Sequence, residues 1–312
     1  MVAMAKERLA REWQQGEVDP FDLKLPYEPV AEPVRAPRPS QSLTPRTATH
    51  LTPLSNQLYE GDALATLQQW EDKTFHACIT DPPYNIARDR KGLSWAFSSH
   101  VTIDSDWDRF SQEDYEQFTT AWLKEVCRTV KENGNIFIFG SYHNIYTIGA
   151  IAARLDLRVI NSIIWAKPNA QPNITCRMLT ESTEQVLWIC NNSNKKAKNW
   201  TFNYDDMKAL NGGKQMRNFW DIPVTPARER VHGKHPSQKP LRLMERLVLC
   251  GTNRGDRVMD CFAGSGSTLL ACDRLDRRWI GVERDAEYLG IAHKRIDDER
   301  RQRRLPLLER QG

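Results

Sequence analysis

Apolar and polar positions along this chain switch between the period of a strand and the period of a helix. At 57–62 (Q-L-Y-E-G-D) a short strand ends in Gly-Asp, and at 75–80 (F-H-A-C-I-T) apolar residues run together over strand length. Between them, 63–70 has helical spacing, with Leu64 and Leu67 on one side. Strand, helix, strand at this spacing is a βαβ unit, and it implies a parallel sheet. Ser111 opens a helix over 111–131 with Glu113 and Asp114 in its first turn, and Gly134 is its expected stop. Strand runs follow at 135–140, 158–165 and 184–190, with a helix over 144–155 after the first. The last third returns to the opening pattern: helix 241–251, a strand from Arg257 that leads through a Gly-rich turn into helix 268–275, strand 279–283 and helix 286–300. The expected fold class is α/β.

Three stretches break the pattern. Residues 1–55 hold eight of the 17 prolines and too little apolar surface to offset ordering. They read as an arm, with a short helix over 3–14, ahead of a domain spanning 56–312. Residues 85–110 form a long polar loop that mixes Arg88, Arg90 and Lys91 with Trp95 and Phe97, a mixture suited to closing over a nucleotide. Residues 191–234 carry nine Lys/Arg against four Asp/Glu, with Trp200, Phe202, Tyr204, Phe219 and Trp220 interleaved. Lys195, Lys196, Lys198, Lys214 and Arg217 there suit phosphates, and the aromatic rings suit bases. The domain thus divides into 56–190, the basic stretch 191–234, a second half at 235–300 and a tail at 301–312. The basic residues from 294 to 310 read as a solvated helix end.

Composition narrows the class further. The chain has 312 residues, 40% hydrophobic and 27% charged, as in a soluble protein with a core. No apolar run approaches the ~18 residues that span a bilayer, and no signal-peptide core opens the chain. Seven scattered cysteines without a C-x-x-C pair indicate reduced cytoplasmic thiols, with neither a disulfide frame nor a metal site. A net charge of +4 permits a nucleic-acid partner without demanding one.

Two corners carry the chemistry. Asp81-Pro82-Pro83-Tyr84 follows the strand at 75–80. The paired prolines lack N–H groups and hold φ, so the strand ends in a stiff corner bearing a carboxylate, carbonyls and a ring. Such a corner can accept hydrogen bonds from a planar amine and stack on the ring that bears it. An acidic turn is the structural alternative. The second corner, Gly264-Ser265-Gly266, lies between a strand and a helix, where backbone can approach a ligand closely. Glu283 ends the next strand, where an acid can accept both hydroxyls of a ribose. No G-K-[ST] follows the glycines, so ATP hydrolysis is not expected. These residues alone leave NAD open.

Three motifs in order narrow the choice: D-P-P-Y at 81–84, H-P-S-Q-K-P at 235–240 and F-A-G-S-G-S-T at 262–268 with its downstream acid. Together they resemble the β class of amino-methylating DNA methyltransferases, which use S-adenosylmethionine. The segments 141–146 (S-Y-H-N-I-Y), 180–184 (T-E-S-T-E), 202–205 (F-N-Y-D) and 213–216 (G-K-Q-M) look like the adenine enzymes of GATC-type restriction–modification systems. Cys261 stands where that family usually has proline, and Ser237 where it usually has threonine.

The resemblance implies a Rossmann-like, doubly wound, circularly permuted methyltransferase fold. Its sheet would be mostly parallel with a terminal antiparallel hairpin, and 191–234 would be an inserted target-recognition region. Asp81 and the Pro82 carbonyl would accept the two N–H groups of adenine N6, and Tyr84 would stack on the flipped base. Gly264, Ser265 and Gly266 would receive the methionine part of the cofactor, Glu283 its ribose and Asp62, beside Ala63, its adenine amine. Ser237 and Lys239 would meet the methionine carboxylate. Asp260, Phe262, Ala263, Ser267 and Thr268 would complete that wall. For His235 the structural role in a turn is preferred. Implied partners are double-stranded DNA, with single-stranded DNA a second form, and a second copy of the chain. Cytosine-N4 methylation and a non-catalytic DNA-binding regulator are the alternatives. Cytosine-C5 chemistry is set aside, because none of the cysteines follows a proline.

Overall fold

A computed structural model describes residues 50–85, 110–173, 176–192 and 199–304. The arm with its expected helix at 3–14, Arg88, Arg90, Lys91, Lys195, Lys196 and Lys198 lie outside the described residues. The elements are β1 (Gln57–Glu60), α1 (Ala63–Leu67), β2 (Phe75–Thr80), α2 (Gln112–Thr129), β3 (Val130–Gly140), α3 (Ile145–Arg154), β4 (Arg158–Ala166), β5 (Thr183–Cys190), α4 (Tyr204–Leu210), β6 (Phe219–Asp221), α5 (Leu241–Gly251), β7 (Arg257–Asp260), α6 (Ser267–Arg274), β8 (Arg278–Glu283) and α7 (Ala286–Arg304). The strands form one sheet in the order β1-β8-β7-β2-β3-β5-β4-β6. Only the β3–β5 and β5–β4 pairs are antiparallel.

Alternation along β3 shows why the sheet is covered on both faces. Ile136 and Ile138 pack in one core with Phe75, Trp122 and Ile148. Phe137 and Phe139 pack in the other with Trp188, Trp220 and Leu247. Successive strand side chains point to opposite faces, so an unbroken apolar run needs helices on both sides.

Several local expectations differ from the structure. Gly134 does not stop a helix. α2 ends at Thr129, whose hydroxyl donates back to the Glu125 carbonyl at 2.9 Å, and Gly134 lies inside β3. The partner register slips there, from Phe75↔Val130 to Ala77↔Asn135. A Cβ on Gly134 would stand 2.7 Å from the His76 carbonyl oxygen, so the bulge needs glycine for close approach. In α1 the buried pair is Ala63 and Leu67, one turn apart, and Leu64 is only half-buried. α7 continues past residue 300 to Arg304; Arg300 gives Asp273 Oδ1 a 2.7 Å hydrogen bond from that last turn.

The stretch 191–234 is partly core. Its β6 pairs parallel with β4, Trp165 opposite Trp220, so the β4–β5 hairpin is not the sheet's edge. Trp220 is buried, and its Nε1 donates to the Arg217 carbonyl at 2.8 Å. Buried Asn135 pins the same stretch by donating to the carbonyls of Thr201 (2.7 Å) and Gly251 (2.8 Å) while accepting from Trp188 Nε1 (2.8 Å). A buried amide with both ends satisfied fixes one arrangement. Among the described residues, no helix is long and apolar enough to cross a membrane.

β2 and β7 are parallel neighbours, with Cys78 opposite Met259. On one side of this pair the sheet continues to β8 and β1, on the other to β3. Both corners of interest leave this switch point from strand C-terminal ends, where open α/β sheets bind ligands.

Candidate active site

The glycine-rich corner is shaped by what crowds it. Gly264 (φ 50°) and Gly266 (φ 74°) are left-handed. A Cβ on Gly264 would stand 2.8 Å from His235 Nε2, and one on Gly266 2.9 Å from Ala292 Cβ. Only glycine meets both the backbone angle and the contact. Arg295 clips the turn from α7, donating to the Ser265 carbonyl (2.6 Å), Ser265 Oγ (3.1 Å) and Ser267 Oγ (3.0 Å). Burial lowers this guanidinium to a pKa of about 10. Beneath the turn, Asp260 accepts from Thr80 Oγ1 (2.8 Å), the Phe262 N–H (3.1 Å) and Thr268 Oγ1 (2.5 Å). It thereby ties the ends of β2 and β7 to the start of α6. Burial outweighs these bonds and raises its pKa to about 6.

His235 is a packing residue. Its Nδ1 accepts from the Ser237 N–H at 3.2 Å, and its ring meets Tyr288 edge-on at 4.2 Å. Burial, with Lys239 and Arg295 nearby, pushes its pKa down to about 3, so the ring is neutral. Glu283 accepts from the Gly264 N–H (2.7 Å) and the Asp285 N–H (2.8 Å), one at each oxygen. Those bonds set the carboxylate's plane and leave lone pairs for a ligand. Asp62 caps α1 by accepting from the Ala65 N–H at 2.9 Å.

At the Asp-Pro-Pro-Tyr corner the two carboxylate oxygens of Asp81 differ. Oδ2 accepts from Lys239 Nζ (2.5 Å) and Ser237 Oγ (2.8 Å). Oδ1 is buried without a hydrogen-bond partner among the described residues. Tyr84 donates to Glu184 Oε2 at 3.1 Å, and Lys167 Nζ meets Glu184 Oε1 at 3.3 Å. Tyr115 braces the corner from α2. It donates to the Pro83 carbonyl at 2.9 Å and accepts from Asn144 at 3.1 Å.

A cavity of about 350 Å³ joins the two corners. Every catalytic and cofactor residue designated from the sequence lines it except Gly266, which lies behind the turn. Phe110, Phe118 and Phe262 form an aromatic end wall; the first two stack at 5.1 Å. Lys214 and Arg217 are exposed and outside this cavity. Of the aromatic residues in the basic stretch, Phe202, Tyr204 and Phe219 are exposed, whereas Trp220 is core. Trp200 is packed beneath the Arg158 guanidinium, 4.7 Å from its ring centre. Cys261 is buried, its Sγ 3.5 Å from Thr80 Oγ1. Sequence reasoning missed Glu184, Tyr115 and Arg295. The first stood in the sequence as the end of the T-E-S-T-E segment at 180–184 and the head of an apolar strand, with no role attached to it.

A carboxylate with one oxygen unpartnered among the described residues faces a glycine-rich backbone turn across the switch point of this sheet. The chain belongs to the amino-methylating DNA methylases: the N6/N4 DNA methylase family model, described as "DNA methylase", matches residues 75–294. It is 39% identical over 244 residues to the Type II methyltransferase M2.DpnII of Streptococcus pneumoniae, across 78% of this chain and 90% of that one. With M2.MboI of Moraxella bovis it shares 36% identity over 243 residues, 77% of this chain and 87% of that protein. The crystal structure of an M1.HpyAVI–SAM complex superposes with a TM-score of 0.57 at 30% identity, covering 77% of this chain and 98% of the other.

Proposed function

We propose that this protein transfers the methyl group of S-adenosylmethionine to N6 of adenine in a short DNA site of the GATC type, within a restriction–modification system. The observation that carries the reading is Asp81 Oδ1, a buried carboxylate oxygen with nothing to accept from among the described residues. Such an atom is costly unless a ligand donor meets it.

The cavity fits the cofactor. Backbone at Gly264 leaves room that a Cβ would fill, Glu283 offers carboxylate lone pairs for ribose hydroxyls, and the Phe110–Phe118–Phe262 wall suits a flat base. The bound cofactor supplies an electrophilic methyl on a sulfonium. Everything else falls to the chain. Asp81 Oδ1 accepts one N–H of the target amine and the Pro82 carbonyl the other, which turns the nitrogen lone pair outward. Asp81 Oδ1 is also the atom able to take the proton that the amine releases. The Tyr84 ring stacks on the base, which has to leave the duplex to reach the cavity that Asp81 and Tyr84 line. Fixed orientation supplies much of the rate in such a transfer.

An aspartate at position 81, rather than the serine common in cytosine-N4 enzymes, favours adenine. The GATC type rests on the likeness to the M2 enzymes of such systems. Duplex DNA is the main substrate, held by Lys214 and Arg217 together with Arg88, Arg90, Lys91, Lys195, Lys196 and Lys198. Single-stranded DNA is a second form, a homodimer is the working assembly, and the cytoplasm is its compartment.

The test is tritium transfer from labelled S-adenosylmethionine into DNA, followed by nucleoside analysis. Label in N6-methyladenine is expected, label in N4-methylcytosine would replace the reading, and absence of label in any DNA would overturn it. Asp81→Ala should abolish transfer while S-adenosylhomocysteine still binds by calorimetry. Single-molecule sequencing of DNA from cells expressing the protein reads the site.

A further inference from the structure

Lys239 is 5% exposed and stands on the cavity wall. The sequence reading sends its ammonium to the carboxylate of the cofactor. The structure sends it to Asp81. Nζ lies 2.5 Å from Asp81 Oδ2, 2.7 Å from Ser237 Oγ, 3.2 Å from the Ser237 carbonyl oxygen and 3.4 Å from Glu184 Oε2. An ammonium has three N–H donors. Four acceptors already surround this one, so it has no donor left for a ligand. The Ser237 hydroxyl is committed too, because its proton goes to Asp81 Oδ2 at 2.8 Å.

The other end of this network is Glu184, at the head of β5. It accepts from Tyr84 Oη at 3.1 Å and from Lys167 at 3.3 Å, and it faces Lys239 at 3.4 Å. Two carboxylates and two ammoniums balance, as enclosed charges must. Burial alone would lower the pKa of the Lys239 ammonium. Asp81 and Glu184 overcome that and raise it, so the charge persists.

We propose that Ser237, Lys239 and Glu184 are positioning residues that fix Asp81 Oδ2 and the Tyr84 hydroxyl, and that Lys239 is not the anchor of the cofactor's carboxylate. The network leaves Asp81 Oδ1 without a partner among the described residues, available to the target amine, and holds the Lys239 ammonium 5.4 Å from the centre of the Tyr84 ring. Glu184 acts through Tyr84 and Lys239 without touching the base. This rests on the reading that the amine binds at Asp81.

The test separates the two partners of Lys239 by a ligand comparison. S-adenosylhomocysteine carries the amino-acid tail, and 5′-methylthioadenosine lacks it. Calorimetry on Lys239→Met, and on Lys239→Gln in case the first variant melts early, is expected to give both ligands affinities within about threefold of wild type. Loss of about tenfold or more for S-adenosylhomocysteine alone would show that Lys239 holds the carboxylate, and would overturn the proposal. For Glu184, we expect Glu184→Ala to lower kcat by about 30-fold or more at unchanged KM for the cofactor. Glu184→Gln still accepts from Tyr84 and should recover part of that loss. A wild-type kcat in Glu184→Ala would remove Glu184 from the positioning set. If wild-type protein labels no adenine, the functional reading fails, whereas the calorimetric comparison still decides what Lys239 binds.

Discussion

His235 Nε2 lies 2.8 Å from where a Cβ on Gly264 would stand, so the imidazole lies directly against the glycine turn. The His-Pro-Ser-Gln-Lys-Pro segment and the glycine turn are therefore one packed unit. The link is reinforced where Ser267 Oγ donates to the Lys239 carbonyl at 2.9 Å. Gly264→Ala should weaken S-adenosylhomocysteine binding by about tenfold or more, since the left-handed angle alone costs roughly 1–2 kcal/mol. Adding His235→Ala relieves the contact but not the backbone angle. Calorimetry should show partial recovery in the double variant.

Acid should act through the same histidine. Its pKa is about 3 in the folded protein against an ordinary 6.5. A depressed pKa contributes stability that is present above about 6.5 and lost as pH falls toward 3. Asp260 has the opposite sign: raised from 3.8 to about 6, it contributes stability below about 4 that is lost as pH rises to 6. Between pH 4 and 6 the two oppose each other. In His235→Asn the histidine contribution is absent, so the variant's deficit in unfolding free energy should shrink on acidification. The expected slope is about 1.4 kcal/mol per pH unit, read from urea melts at pH 4, 5 and 6.

Adjacent aromatic residues in the basic stretch should separate stability from binding. Trp220 is buried beneath Arg246, whose guanidinium lies 5.2 Å from the ring centre, and Phe219 is 52% exposed. Trp220→Ala should cost about 3–5 kcal/mol in denaturant melts. Phe219→Ala should stay within about 0.5 kcal/mol of wild type. An equal loss in both would mean that Phe219 is covered.

Lys214 and Arg217 provide a charge test. If each meets a phosphate, replacing both with glutamine should flatten the plot of log affinity against log salt by about 1.8. Fluorescence anisotropy on a labelled duplex at several salt concentrations measures it. An unchanged slope would place the DNA elsewhere.

Much of the site was legible in the chain because its chemistry is local. The Asp81-Pro82-Pro83-Tyr84 corner depends on proline φ angles and a preceding apolar run, and the turn at 264–266 on glycine's freedom at positive φ. Both are properties of neighbouring residues. The alternation of helix and strand periods likewise announced an α/β sheet, since each period reports which faces are buried. Other features are distributed over distance. Ser237 meets Asp81 across 156 positions of sequence, and Glu184 reaches Tyr84 across 100. No local pattern encodes such a pair, because it exists only once β2, β5 and the 235–240 segment converge. The same is true of Trp220: its composition context is that of a basic surface, but pairing of β6 with β4 makes it core. The sequence by itself determined the strand ends and the residue types at both corners. Tertiary packing decided which acceptor each donor found, and so which oxygen of Asp81 has no partner among the described residues.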